Sequence, residues 1–173
     1  MWTLAAETST PTGSLALLKN SDVHDYVEWP SERSHSEKIT SESESLLKKN
    51  GLEFSDIDRY AVSTGPGSFT GIRVALNFVR ALGYTFDKPI LSVDSLYLLA
   101  APALAQNIDD GREVLAFQSA FRNLIYCARY KKNNQKVTQV LEPCALTVDE
   151  TKALIKSKTL VLGRAFEGFK PVL

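Results

Sequence analysis

The sequence predicts a mixed α/β fold, with an ordered βββαβαβα first part followed by a smaller, shortened α+β part. Three observations predict it. Near the start, three apolar runs of strand length follow one another, separated only by turn-rich pieces too short to hold a crossover helix. From residue 35 the apolar spacing becomes helical and then alternates between helix and strand. A polar break, Asn107-Ile108-Asp109-Asp110-Gly111, then separates this pattern from a final set of shorter elements.

Taken in order, Thr3 to Ala6, Ser14 to Leu18 and Tyr26 to Trp29 read as strands. Their connections, Thr8-Ser9-Thr10-Pro11-Thr12-Gly13 and Lys19-Asn20-Ser21-Asp22, favour an antiparallel meander. A helix over residues 35 to 49 follows from three signs: the capping-box spacing of Ser34-His35-Ser36-Glu37, the shared face of Ile39, Leu46 and Leu47, and the stop signal Asn50-Gly51. The Ser/Glu-rich run Ser41 to Ser45 is the polar face of that helix. Arg59 to Ser63 reads as a strand, Thr70 to Leu82 as a helix ended by Gly83, Ile90 to Val93 as a strand and Leu96 to Gln106 as a helix.

Three antiparallel strands followed by alternating helices and strands close most economically into a mixed sheet with right-handed helical crossovers. That is the succession of a ribonuclease H-like domain, the actin-like ATPase (ASKHA) frame, which serves kinases, chaperone ATPases and nucleases alike. Beyond the polar break, strands are expected at Val114 to Phe117, Ile125 to Tyr130, Val137 to Leu141 and Leu160 to Leu162. A helix near Val148 to Lys156 is introduced by the spacing of Thr147 and Glu150, and Glu167 to Leu173 has no helical pattern. The expected division is residues 1–108 as the ribonuclease H-like domain and 109–173 as a second subdomain, too small for an independent core.

With 44% hydrophobic and 23% charged residues the chain has a soluble globular composition, and its formal net charge of zero supplies no basic field for binding nucleic acid alone. The run Arg129-Tyr130-Lys131-Lys132 is short and reads as a solvated strand end. The opening residues MWTLAAETST carry neither a basic leader nor a long apolar segment, so a cytoplasmic location without a membrane span is expected. Cys127 and Cys144 are too far apart for a CxxC motif and are expected as free thiols in the core.

The segment STGPGSFTGIR, residues 63 to 73, joins a strand to a helix. It is not a Walker P-loop: Gly71 is followed by Ile72-Arg73 rather than Lys and a hydroxyl residue, and five residues separate Gly65 from Gly71. It also misses the dinucleotide fingerprint, because Gly71 follows Gly65-Pro66-Gly67 one residue late. Two readings remain: an anion site built from Ser68, Thr70 and backbone N–H groups, or a tight turn whose helix Thr70 caps. The helix is apolar on two faces, Ile72, Ala75, Leu76 and Val79 on one and Val74, Phe78 and Ala81 on another, with Arg73, Asn77 and Arg80 as its polar remainder. Such a helix wants two partners, its own sheet and a second helix in this chain or in another protein.

Other chemistry is sparse. Glu7, at the end of the first strand, keeps a carboxylate where sugar-kinase and actin-like ATPases hold magnesium with aspartate, but its extra methylene disturbs octahedral geometry. His35 has aliphatic Ile39 four residues on, and His24 sits in a polar turn, so neither forms a chelating pair. GxSxG and HExxH motifs are absent from the sequence.

The pieces Glu7-Thr8-Ser9-Thr10-Pro11-Thr12-Gly13-Ser14, His35-Ser36-Glu37, Gly65-Pro66-Gly67-Ser68-Phe69-Thr70-Gly71-Ile72-Arg73 and Ser92-Val93-Asp94-Ser95-Leu96 resemble the bacterial TsaB (YeaZ) family over most of residues 3 to 105. The resemblance implies a role in making threonylcarbamoyladenosine (t6A) in tRNA. It implies a non-catalytic scaffold that pairs with the transferase subunit TsaD, is joined by the ATPase TsaE, and meets tRNA through the complex. No catalytic residue, cofactor or metal is then expected in this chain; ATP, magnesium and the TsaD metal are implied for the complex.

The implied partner interface is His35 and Ile39 on the first helix and Thr70, Arg73, Val74, Asn77, Phe78 and Ala81 on the second, with Gly65, Pro66, Gly67, Ser68 and Gly71 as the turn that launches it. A homodimer through the same apolar helix is expected when the partner is absent. The chain departs from the family pattern at Glu7, where many members have Asp, and at Ser119-Ala120-Phe121, where many have Asp-Ala-Arg. Its first helix is unusually polar and its second part short. The competing reading is an ATPase or kinase using Glu7, Thr8, Ser68 and the Gly65–Gly71 loop; a more remote one is a peptidase, since the wider family was once grouped with glycoproteases.

Overall fold

The computed structural model describes residues 1–30, 35–106, 112–133, 136–157 and 159–163. Ser34, the polar break at 107–111 and the tail at 167–173 lie outside them. The chain forms two compact units, Met1–Val93 and Asp94–Leu173.

The first unit is a five-stranded sheet in the order β3-β2-β1-β4-β5, with β1 at Trp2–Glu7, β2 at Thr12–Lys19, β3 at Asp22–Pro30, β4 at Arg59–Ser63 and β5 at Ile90–Val93. The first three strands pair antiparallel, and β4 and β5 join in parallel, as the short turns and helical crossovers require. Register places Leu4 beside Leu17 and Tyr60, and Ala6 beside Leu15 and Val62, so these apolar residues share one face of the pleat. All six are buried, in one core with Trp29, Ile39, Leu46, Leu47, Ala75 and Val79. Trp29 lies flat over Gly13, where a Cβ would come within 2.4 Å of the indole.

Two helices contribute to this core. Helix α1, His35–Lys49, buries His35, Ile39, Ser43, Leu46 and Leu47, and carries Glu37 in its first turn and Lys48 and Lys49 in its last, matching the helix dipole. It ends as Asn50-Gly51 predicts. Gly51 is left-handed (φ 67°), Gly51 N–H donates to Lys48 O and Leu52 N–H to Leu47 O, the two bonds of a Schellman cap. Ser43, inside the polar run, is buried and donates to Thr40 O at 2.8 Å.

Helix α2 runs from Phe69 to Thr85, three residues past the end expected at Leu82. Gly83 is a packing residue within the helix, because a Cβ there would meet Ile90 Cδ1 at 2.7 Å. With Gly71, Ala75 and Val79 it completes a buried seam of small residues spaced by four.

The second unit is a four-stranded sheet in the order β8-β7-β6-β9, formed by β6 (Glu113–Ser119), β7 (Ile125–Asn133), β8 (Lys136–Leu146) and β9 (Thr159–Gly163). Helix α3, Ser95–Ala105, belongs to it: Leu96, Ala100, Ala103 and Leu104 pack with Val114, Ala116, Ala128 and Tyr130. The compact units therefore divide before α3, whereas the polar break that guided the sequence division follows it. A second cluster holds Leu115, Phe117, Ile125 and Cys127, with Val148 and Leu154 packed against it.

Helix α4, Val148–Ala153, starts with the capping box that Thr147 and Glu150 predict and is one turn shorter than expected. The basic run is only half solvated: Arg129 and Tyr130 are buried, with Arg129 paired to Glu113 at 3.1 Å and donating to Leu154 O. Strand β8 accommodates Pro143 because it is an edge strand.

Candidate functional site

The strand-to-helix turn is built against the end of β1. Thr8 Oγ1 donates to Gly71 O at 2.7 Å, and a Cβ on Gly71 would lie 1.9 Å from Thr8 O, so only glycine lets the start of α2 approach this closely. One turn earlier Gly67 adopts φ 156° with Ser9 2.7 Å from its virtual Cβ, and Ser68 N–H donates to Ser9 O at 2.8 Å. The Gly65–Pro66 peptide is cis. Ser68, not Thr70, caps the helix: its Oγ accepts from Gly71 N–H at 3.2 Å, while Thr70 is exposed on the first turn. The cap was misplaced by two residues because Ser68 and Thr70 are both good cap formers.

The groups a nucleotide mechanism would recruit are therefore engaged within the protein. Glu7 accepts from Ser9 N–H, Thr8 holds Gly71, and Ser68 holds the first turn of α2. The space beside Gly67 and Gly71 is filled by Thr8 and Ser9. The arrangement braces two segments far apart in sequence. Among the described residues no three His, Cys, Asp or Glu side chains gather as metal ligands. His24 packs edge-on to Trp2 and His35 edge-on to Trp29, so the two histidines stand apart. No described helix is long and apolar enough to cross a membrane.

The residues expected at an interface divide into two groups. His35 and Ile39 are interior: His35 Nε2 donates to Thr10 O at 2.9 Å and Ile39 is 3% exposed. The first turn of α1 faces Trp29, which removes both residues from the surface. The other six stand on α2. Thr70, Arg73, Asn77 and Ala81 are exposed in a stripe three to four residues apart, flanked by half-buried Val74 and Phe78. Phe78 meets Phe54 edge-on at 6.3 Å, and Phe54 stacks on Phe86, so this ring is committed to an internal aromatic trio.

Two exposed aromatics escaped the sequence reading. Phe69, 74% exposed, lies under the Arg73 guanidinium at 5.3 Å, and Tyr84, 92% exposed, extends the stripe beyond Ala81. Tyr84 is seven residues after Asn77, a signal hidden once Gly83 was taken as the helix end. Below it, Asn77, Arg80, Ala81, Tyr84, Asp87 and Ile90 line a shallow depression.

Titration shifts with clear causes lie away from this face. Burial pushes the Tyr60 hydroxyl up to about 12, and hydrogen bonds from Lys49 and then Asn50 hold Asp25 down at about 2. Asp94, in the Ser92–Leu96 motif, has a structural role: its Oδ1 accepts from Tyr97 N–H at 2.9 Å, capping α3, and from the Tyr130 hydroxyl at 3.2 Å.

A protein-family model described as "TsaD: tRNA N6-adenosine threonylcarbamoyltransferase" matches residues 30–168. The chain is 28% identical over 153 residues to the tRNA threonylcarbamoyladenosine biosynthesis protein TsaB of Escherichia coli K12, covering 88% of this chain and 62% of that protein. It is 29% identical over 164 residues to TsaB of Bacillus subtilis 168, covering 91% and 67%. Among solved structures, YeaZ from Pseudomonas aeruginosa superposes with a TM-score of 0.73 at 28% identity, covering 84% of this chain and 67% of that one. The chain spans between about half and two thirds of the length of the curated relatives it matches.

Proposed function

Because the chain belongs to the TsaB (YeaZ) family, within the reach of the TsaD family model, we propose that it is a non-catalytic scaffold subunit in bacterial t6A biosynthesis, presenting α2 to a TsaD-like transferase. The observation that carries this reading is the exposed stripe of α2, with Phe69, Thr70, Arg73, Asn77, Ala81 and Tyr84 on one face of a helix whose opposite seam is already seated on the sheet. A helix that turns two large aromatics and an alanine to water, with few charges between them, suits a helix–helix contact with another protein. A TsaE-like ATPase joins that pair, tRNA reaches this chain through the complex, and the location is cytoplasmic. The first unit, Met1–Val93, carries the partner helix. In the absence of its partner the same face pairs with a second copy.

The non-catalytic reading is supported by the hydrogen bonds that Glu7, Thr8 and Ser68 make within the chain, to Ser9 N–H, Gly71 O and Gly71 N–H. The deciding experiment mixes the purified chain with the TsaD-like protein of its own organism and follows complex mass by light scattering. Ala81→Arg and Asn77→Arg, both on the exposed stripe, are expected to weaken the complex by at least about tenfold while leaving the circular dichroism spectrum and melting unchanged. A complex of undiminished affinity with the double variant would sink the proposed face. Phe78→Glu is a poorer probe, since it also breaks the aromatic trio with Phe54 and Phe86.

A further inference from the structure

We propose that Cys127 and Cys144 are a modification site: a cross-strand thiol pair that closes to an intramolecular disulfide and staples the edge strand β8 to β7. The two residues are direct register partners on antiparallel strands, and their sulfurs stand 3.8 Å apart. A disulfide needs Cα atoms within about 7 Å and Cβ vectors on one side of the pleat, and directly opposed residues in an antiparallel pair meet both conditions. Closure from 3.8 Å is a matter of side-chain rotation, with the strands left in place.

The site is asymmetric. Cys127 is fully buried among Leu115, Phe117 and Ile125, whereas Cys144 is only half-buried. Burial, reinforced by the neighbouring sulfur, pushes the Cys127 thiol up to about 12, which makes it a poor first nucleophile. The order of chemistry follows. The Cys144 thiolate, having lost its proton to water, attacks one sulfur of a low-molecular-weight disulfide such as oxidised glutathione, forms a Cys144–glutathione bond and releases one glutathione thiolate. Cys127 then gives up its proton, and its thiolate attacks the Cys144 sulfur of that mixed disulfide and expels the second glutathione thiolate. The balance is two protein thiols and one glutathione disulfide consumed, with one protein disulfide and two glutathione thiols formed. The protein is oxidised by two electrons and glutathione disulfide is reduced by two.

The consequence lies in where β8 sits. Among the described residues its only sheet neighbour is β7, and that pairing is interrupted by irregularities on either side of Arg129. A bond at Cys127–Cys144 holds the strand near its far end, beyond the irregular stretch, where hydrogen bonding alone is broken up.

The test uses the full chain, reduced and then equilibrated across a series of reduced-to-oxidised glutathione ratios, quenched in acid and alkylated with iodoacetamide. The expected product is a monomer two hydrogens lighter that takes up no alkyl group, with a linked Cys127–Cys144 peptide pair on digestion. The reduced chain is expected to alkylate at Cys144 at least about tenfold faster than at Cys127. Cys127→Ser is expected to stop at the glutathione adduct on Cys144, and Cys144→Ser to remain unmodified. On the wild-type chain, which needs no variant to fold, the oxidised form is expected to show slower amide exchange in β8. Two alkylatable thiols persisting in glutathione disulfide alone, a wild-type chain halted at the mixed disulfide, or cross-linked dimers in place of the lighter monomer would each overturn the proposal.

Discussion

Helices α1 and α2 contribute to the same core of the first unit, yet they are seated by opposite means. Helix α1 sends large side chains inward, Ile39, Leu46 and Leu47, and its outer face is polar. Helix α2 sends its smallest residues inward, Gly71, Ala75, Val79 and Gly83, so its backbone lies close to its neighbours and its larger residues are pushed to the flanks and outward. The two modes leave different surfaces. Bulk spent inward gives α1 a finished exterior; bulk displaced sideways leaves α2 with Phe69 and Tyr84 in water. The helix proposed to meet a partner is thus marked by the small size of its buried seam as well as by its exposed residues.

This contrast predicts that α2 fails when bulk is added and α1 when bulk is removed. In an ordinary helix Gly→Ala stabilises by about 1 kcal/mol. Gly71→Ala is expected to reverse that sign and destabilise by about 3 kcal/mol, because the new methyl meets the Thr8 carbonyl. Urea unfolding measures it, and a neutral or stabilising result would end the account of α2 as seated by close approach. On α1, Leu47→Ala is expected to destabilise by about 3 kcal/mol through the cavity it leaves. If the two helices gave the same response to added bulk, for instance with Ser43→Val as tolerant or intolerant as Gly71→Ala, the comparison would collapse.

Smaller changes refine it. Phe78→Ala is expected to lose about 2 kcal/mol, less than a fully buried phenylalanine, since the ring is only half-buried beside Phe54. A loss of less than half that in thermal unfolding would move Phe78 from the internal trio to the free surface. Ser68→Ala removes the cap of α2 and is expected to lose about 1 kcal/mol, with Ser68→Asp restoring most of it; no rescue by aspartate would transfer the cap elsewhere.

The smallest effect is expected at the C-terminal end of α1, where Lys49 meets Asp25 at 2.8 Å. The Asp25 carboxyl is depressed from 3.8 to about 2, so its contribution is fully present above the ordinary value and is lost as pH falls through the folded one. Asp25→Asn should therefore flatten the acid side of the stability profile between about pH 4 and pH 2, and added salt should shrink the difference. An unchanged acid limb would remove the pair from the account of α1.

The elements of both units were legible because their signals are local. Strand alternation, the Asn50-Gly51 stop and the Thr147/Glu150 capping box depend on residues within one turn of each other. The mistakes came where a distant residue decides. Gly83 looks like a helix stop until Ile90 is seen against it. His35 and Ile39 fall on α1 in a sequence otherwise rich in polar side chains, and only the position of Trp29 turns that first turn inward. The exposed stripe of α2 was half legible: its apolar surplus is visible in the periodicity, but which apolar face meets the sheet is settled by the size of the residues on it.

The brace between Thr8 and Gly71 also bears on the order in which the first unit assembles. It joins positions 63 apart, so it cannot form until β1 and β4 have found their parallel register, with α1 and its Schellman cap in the intervening loop. Closing so long a loop opposes folding before the contact can reward it. The brace therefore belongs to the last stage of the climb to the native state and acts as a latch against the reverse reaction. Thr8→Val, which deletes the hydroxyl, is then expected to speed unfolding several-fold while leaving the refolding rate nearly as it was.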